Sequence, residues 1–137
     1  MTPLVSAKCT CGALQFEAST APVTQMICHC TDCRAATGRP SCLTAFFHKG
    51  LSAIHGPQTA MRFVAASGAR TERVACSQCQ TVMFDTSEGF PELIGVIAAV
   101  IEPPFVAQPV CHMWVSSRVA GCPIDDGLPQ HSRGLPR

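Results

Sequence analysis

Seven of the ten cysteines in this 137-residue chain fall into three tight clusters, Cys9-Thr-Cys11, Cys28-His-Cys30-Thr-Asp-Cys33 and Cys76-Ser-Gln-Cys79. Four thiolates complete a tetrahedral zinc site, so seven divide into one closed set and three ligands of an open one. A closed site holds a fold together, whereas an open one keeps a position for water or substrate. If their segment is extended, Cys9 and Cys11 present both sulfurs to one metal, because residues i and i+2 share a side of a strand. Cys76 and Cys79 have knuckle spacing, in which a turn of two residues aims both thiolates inward. Together the two pairs predict a zinc that staples the first hairpin to a later one. Such a staple contributes to folding outright, on the order of 10 kcal/mol in small zinc modules.

The middle cluster, Cys28, Cys30 and Cys33, supplies three ligands and no more. Three readings stay open. Cys42, Cys111, His112 or His29 closes a second structural site; water or substrate takes the fourth position; or two of the three cysteines form a redox dithiol. Cys42, Cys111 and Cys122 otherwise read as small buried apolar residues.

Composition narrows the function classes. Hydrophobic residues make up 47% and charged residues 14%, which argues against global disorder. The net charge is +1, Lys and Arg are scattered, Tyr is absent and there is one Trp, so neither a basic face nor stacking platforms support nucleic-acid binding. The first eight residues lack a charged and apolar leader pattern, and the most apolar stretch, 93–101, is too short to span a bilayer. The expectation is a cytoplasmic protein with no membrane partner. In that reducing compartment, clustered cysteines are metal ligands before they are disulfides.

Short apolar runs separated by turn residues predict strands over 13–18, 23–27, 41–47, 51–54, 59–64, 71–75, 81–85, 93–101 and 109–115. One helix of about two turns is predicted over 31–37, capped by Thr31 or Asp32 and closed by Gly38. This is the pattern of a mainly β fold built from hairpins. A single domain over 1–129 with a polar surface tail over 130–137 follows.

The ordered set Cys9-Thr-Cys11-Gly12, Cys28-His29-Cys30-Thr-Asp-Cys33-Arg34-Ala-Ala-Thr-Gly38, Cys76-Ser-Gln-Cys79 and Asp126-Gly-Leu-Pro129 resembles the glutathione-dependent formaldehyde-activating family, which includes the centromere protein V type of domain. The resemblance covers nearly the whole chain. It implies a Mss4-like, zinc-stapled fold of short antiparallel hairpins with little helix. It also implies a structural zinc on Cys9, Cys11, Cys76 and Cys79, and a second zinc, at the active site, on Cys28, Cys30 and Cys33. The implied activity is that of a carbon–sulfur lyase joining a small-molecule thiol and aldehyde, glutathione and formaldehyde, into S-(hydroxymethyl)glutathione. The chain departs from the family pattern at Gln80, where the knuckle usually has Gly, and at Gly121-Cys122, where members often carry an aromatic.

Glutathione's two carboxylates call for cations, and Arg34 and Arg39, close to the trio, are the candidates, with Lys49 and Arg118 more distant. For proton transfer to the developing alkoxide, His112 ranks before His48. His29 ranks low, because alternation sends it away from Cys28 and Cys30. The competing reading is a non-catalytic zinc-stapled module that binds a protein partner. The oligomeric state has no signature in the sequence.

Overall fold

Strand β4, Cys42–His48, is buried on both faces, and the rest of the chain is arranged around it. Its alternation sends Ala45 and Phe47 into the main core, while Thr44 and Phe46 line a cavity on the other face. This computed structural model describes residues 3–134. In chain order, β1 (Val5–Lys8), β2 (Gln15–Ala18), β3 (Thr24–Cys28) and helix α1 (Thr31–Thr37) precede β4. After it come β5 (Ser52–His55), β6 (Gln58–Val64), β7 (Arg70–Cys76), β8 (Val82–Ser87), β9 (Leu93–Ile97) and β10 (Cys111–Met113).

Two sheets result. A three-stranded sheet in the order β1-β2-β5 is antiparallel, and a seven-stranded sheet runs β10-β3-β4-β9-β8-β7-β6. All pairs of the larger sheet are antiparallel except β10 with β3. The small sheet contributes Val5, Ala7, Phe16 and Ala18 to a core completed by Phe47, Phe84 and Val96 of the large one. Phe16 is central, with its ring 5.2 Å from Phe47 and 6.4 Å from Phe84. Each of these rings, fully buried, contributes about 1.5–3 kcal/mol of transfer free energy.

The fold is the mainly β one that the punctuation predicts, and eight of the nine expected strands appear within two residues of the expected bounds. Three differences have physical causes. β1 escaped prediction because only Val5 and Ala7 alternate inward over four residues. The run 93–101 leaves the sheet after Ile97 through a 3-10 turn, Ala98–Val100, so that Ile101 bridges to Ala7 of the small sheet. The run 109–115 keeps only three strand residues, because Trp114 takes a left-handed conformation (φ 57°) that ends the parallel pairing. Beyond it, Gln130 bridges to His112, and the carbonyls of His131 and Arg133 accept from the backbone N–H groups of Val115 and Trp114.

Candidate metal centres

The first thiol set forms where two turns meet. Cys9 follows β1, and its carbonyl accepts from the Gly12 N–H at 2.9 Å, so the Cys9–Cys11 segment is a turn, and the two sulfurs converge without the extended geometry that would have sufficed. The turn is forced by the return into β2, and the Leu14 N–H donates to Cys9 Sγ at 3.2 Å. Cys76 ends β7, and Cys79 lies in the turn to β8. Cys11 Sγ stands 3.5 Å from Cys9 Sγ and 3.7 Å from Cys76 Sγ, and all four sulfurs lie within 4.8 Å of one another. Tetrahedral zinc with Zn–S bonds near 2.3 Å sets its sulfurs about 3.8 Å apart. The donor set therefore fits a closed zinc site. The Thr81 hydroxyl 3.0 Å from Cys79 Sγ, with backbone N–H groups, brings that thiol down to about 5, toward the thiolate a metal requires. Thr10 and Thr81 join the same two turns at 2.9 Å.

The second set lies at the junction of β3 and α1. Cys28 ends the strand, Cys30 is the N-cap and Cys33 sits in the first helical turn. Cys30, not Thr31 or Asp32, caps the helix: its backbone is extended (φ −66°, ψ 158°), and its Sγ accepts from the Cys33 N–H at 3.3 Å. Gly38 closes the helix in the left-handed conformation (φ 66°). The three sulfurs are buried and lie within 4.8 Å of one another. Hydrogen bonds with Cys28 and Cys33 push Cys30 far down, and hydrogen bonds with Cys28 and Cys30 push Cys33 up. Cys42 packs against the trio, and Cys111 belongs to a separate cluster with Met26 and Phe46. Among the described residues, no fourth Cys, His, Asp or Glu comes within mutual reach of all three sulfurs.

A residue that the sequence did not single out organises this set. Arg73 of β7 is buried; its Nη1 donates to the Asp32 carbonyl at 2.8 Å, and its Nη2 approaches Cys33 Sγ at 3.9 Å and Asp85 Oδ2 at 3.3 Å. Burial pulls the guanidinium down, but Asp85 and Cys33 outweigh it and hold Arg73 above its ordinary value. Asp85 reaches this position by lying over Gly95 of β9, where a Cβ would stand 2.7 Å from Asp85 Oδ1. The only sequence signal was an Arg inside a strand pattern three residues before Cys76, which is too common to read. All three thiols, Arg73 and Asp85 line a cavity of about 150 Å³. Three larger depressions of about 540–670 Å³ exist, but none touches Cys28, Cys30 or Cys33.

The other candidates lie elsewhere. His112 is buried on β10, and its ring meets His29 and Asp126 rather than the cavity lining. Asp126, held below the usual carboxylate range by this contact and by the Leu128 N–H, can only accept. His112 Nε2–H therefore donates to Asp126 Oδ2 at 2.7 Å, and His29 Nε2–H donates to His112 Nδ1 at 2.9 Å. Alternation does turn His29 away from the sulfurs, yet into a buried relay rather than solvent. Arg34 is half-buried near His29, whose charged form it disfavours, and Arg39 lines the largest depression, beside Cys42. Neither lines the cavity at the trio, nor does Gly121 or Cys122; Trp114 does.

The model of the family described as glutathione-dependent formaldehyde-activating enzyme matches residues 4–117. No curated protein matches the chain significantly. Among solved structures, the crystal structure of a Rhodobacter sphaeroides protein determined as a structural genomics target is similar in fold. Its TM-score is 0.57 at 19% identity, over 73% of this chain and 90% of that one. No helix among the described residues is long and apolar enough to cross a membrane.

Proposed function

The chain belongs to the glutathione-dependent formaldehyde-activating enzyme family, and from that membership we propose that it forms and cleaves the carbon–sulfur bond of a thiol–aldehyde adduct at Cys28, Cys30 and Cys33. One observation carries the reading. Three buried thiols stand within 4.8 Å of one another, lack a fourth donor among the described residues, and face a cavity. The other set, with four thiols, serves as the structural staple. Zinc held by the trio would supply one thing, a position at which a fourth thiol stays deprotonated at neutral pH.

The chain's own residues do the rest. Cys30 is held by the helix turn it caps, so the trio is preorganised by backbone geometry. Arg73, fixed by Asp85 and the Asp32 carbonyl, sets a positive charge beside Cys33 and offsets the negative charge of the clustered thiolates. It is a positioning residue. In the overall reaction the thiol sulfur bonds to the carbonyl carbon, the C=O π pair becomes an O–H bond, and the proton lost from sulfur ends on that oxygen. Cleavage is the reverse. Rate enhancement then comes from supplying the thiolate and orienting the aldehyde. The family description makes glutathione and formaldehyde the first pair to try.

The test is zinc content per chain followed by NMR exchange between formaldehyde and glutathione, with and without protein. Two zincs, exchange faster than the uncatalysed rate, and loss of one zinc and of the acceleration in Cys30→Ser are expected. Acceleration that persists in Cys30→Ser after its second zinc is gone would refute the reading.

A further inference from the structure

We infer that the thiol accepted at the trio carries a compact apolar group of about benzene size, rather than the charged tripeptide that the family description suggests. The inference rests on the thiol-binding reading of this site and narrows its substrate class. Three features of the cavity carry it.

The first is the wall. Met26, Phe46, Phe63, Phe90, Met113 and Trp114 all line the cavity that holds the three sulfurs. Aromatic and thioether side chains of this kind form good contacts with a ring and poor ones with ionised groups. The second is size. The cavity measures about 150 Å³. Apolar cavities of roughly that volume take benzene, whereas pockets for larger ligands start near 300 Å³.

The third is charge. Glutathione brings two carboxylates. Among the described residues, the one cation lining this cavity is Arg73, and its two Nη atoms are already engaged by the Asp32 carbonyl, Cys33 Sγ and Asp85 Oδ2. Asp85 is paired with Arg73, and the carboxylate of Asp32 also shares the lining, so the cavity carries no net positive charge to draw in a further anion. Phe90 stands at the open side of this wall. It is 43% exposed, an unusual setting for so large an apolar ring, and its ring lies 5.7 Å from that of Phe46. An apolar ligand entering toward the sulfurs would cover it.

Trp114, the chain's one tryptophan, reports on the cavity directly through its fluorescence. The full-length zinc-loaded protein is titrated with benzyl mercaptan, glutathione and benzyl alcohol while Trp114 emission is followed. Benzyl mercaptan is expected to bind at least tenfold more tightly than glutathione. Phe90→Ala is expected to weaken it about fivefold, the order of one lost aromatic contact, with zinc content unchanged. Because Phe90 lies outside the buried core clusters, that variant keeps the core intact. Glutathione binding as tightly as benzyl mercaptan overturns the inference and leaves the thiol reading standing. Benzyl alcohol binding as tightly as benzyl mercaptan has the opposite meaning: the cavity takes the ring, and the thiol reading fails. If no probe alters Trp114 emission and isothermal calorimetry detects no binding, both fall.

Discussion

At the scale of single residues, the molecule holds side chains where backbone geometry disfavours them. Gln80 follows the Cys76–Cys79 turn with φ 63°, and its N–H donates to the Cys76 carbonyl at 2.9 Å. A non-glycine residue there costs about 1–2 kcal/mol, part of which glycine would return as chain entropy. Gln80→Gly is therefore expected to stabilise the protein by about 0.5–1 kcal/mol, read from the urea midpoint; an unchanged or lowered midpoint would show that the turn is not strained. Gly95 is the opposite case. A Cβ there meets Asp85 Oδ1 at 2.7 Å and Thr44 Cγ2 at 2.9 Å. Gly95→Ala should cost about 1–3 kcal/mol through overpacking. It should also weaken zinc retention at the trio, since a displaced Asp85 no longer fixes Arg73. A chelator competition that releases zinc from wild type and variant at the same rate would count against that link.

Among the elements, β10 and the segment after it act as a brace behind the trio. The Met113 carbonyl accepts from the His29 N–H at 3.0 Å, so the residue between Cys28 and Cys30 is pinned by β10. The His29–His112–Asp126 relay ties the same point to the loop that carries Asp126. Burial first, then the charges of His112, Arg118 and Arg34, hold His29 below the ordinary histidine value. The unfolded chain, with a histidine near pKa 6.5, thus binds a proton that the folded chain refuses. The resulting stability is complete above about pH 6.5 and is lost as pH falls from there through the folded value. The unfolding midpoint of wild type should drop more steeply between pH 7 and 5 than that of His29→Asn; parallel curves would remove His29 as the cause. Helix α1 depends on its end in a simpler way. Gly38→Ala places a Cβ in the left-handed region (φ 66°) and should cost about 1 kcal/mol.

For the molecule as a whole, the two thiol sets are placed for separable jobs. The four-thiol set joins the β1–β2 turn of the small sheet to the β7–β8 turn of the large one, two parts of the chain that meet nowhere near each other in sequence. The three-thiol set joins only neighbours at the end of β3 and the start of α1. Cys79→Ser should therefore lower the melting temperature sharply or prevent folding, while Cys30→Ser keeps the fold and loses one zinc. Circular dichroism melts with metal analysis distinguish the two; equal destabilisation would mean that the trio is structural as well.

How much of this was legible beforehand follows from the range of each interaction. The clusters, the α1 segment and most strands were readable because cysteine spacing, the turn residues around each apolar run and the closing Gly38 are local signals. The Cys9–Cys11 pair could be read as a metal ligand pair but not as a turn, since that depends on how soon the chain must re-enter β2. The cap on α1 is Cys30 rather than Thr31 or Asp32, because a cysteine becomes a cap acceptor only once its backbone is extended. Arg73, Asp85 and Gly95 come from three different strands, and nothing local marks them as partners. Their roles exist only because β7, β8 and β9 are adjacent. The same holds for the cavity: Phe46, Phe63, Phe90 and Trp114 are unremarkable apolar residues until sheet register and the left-handed turn at Trp114 set them around three sulfurs. Ligand identity is written in short-range spacing; the shape and charge of the space before those ligands are set by long-range packing.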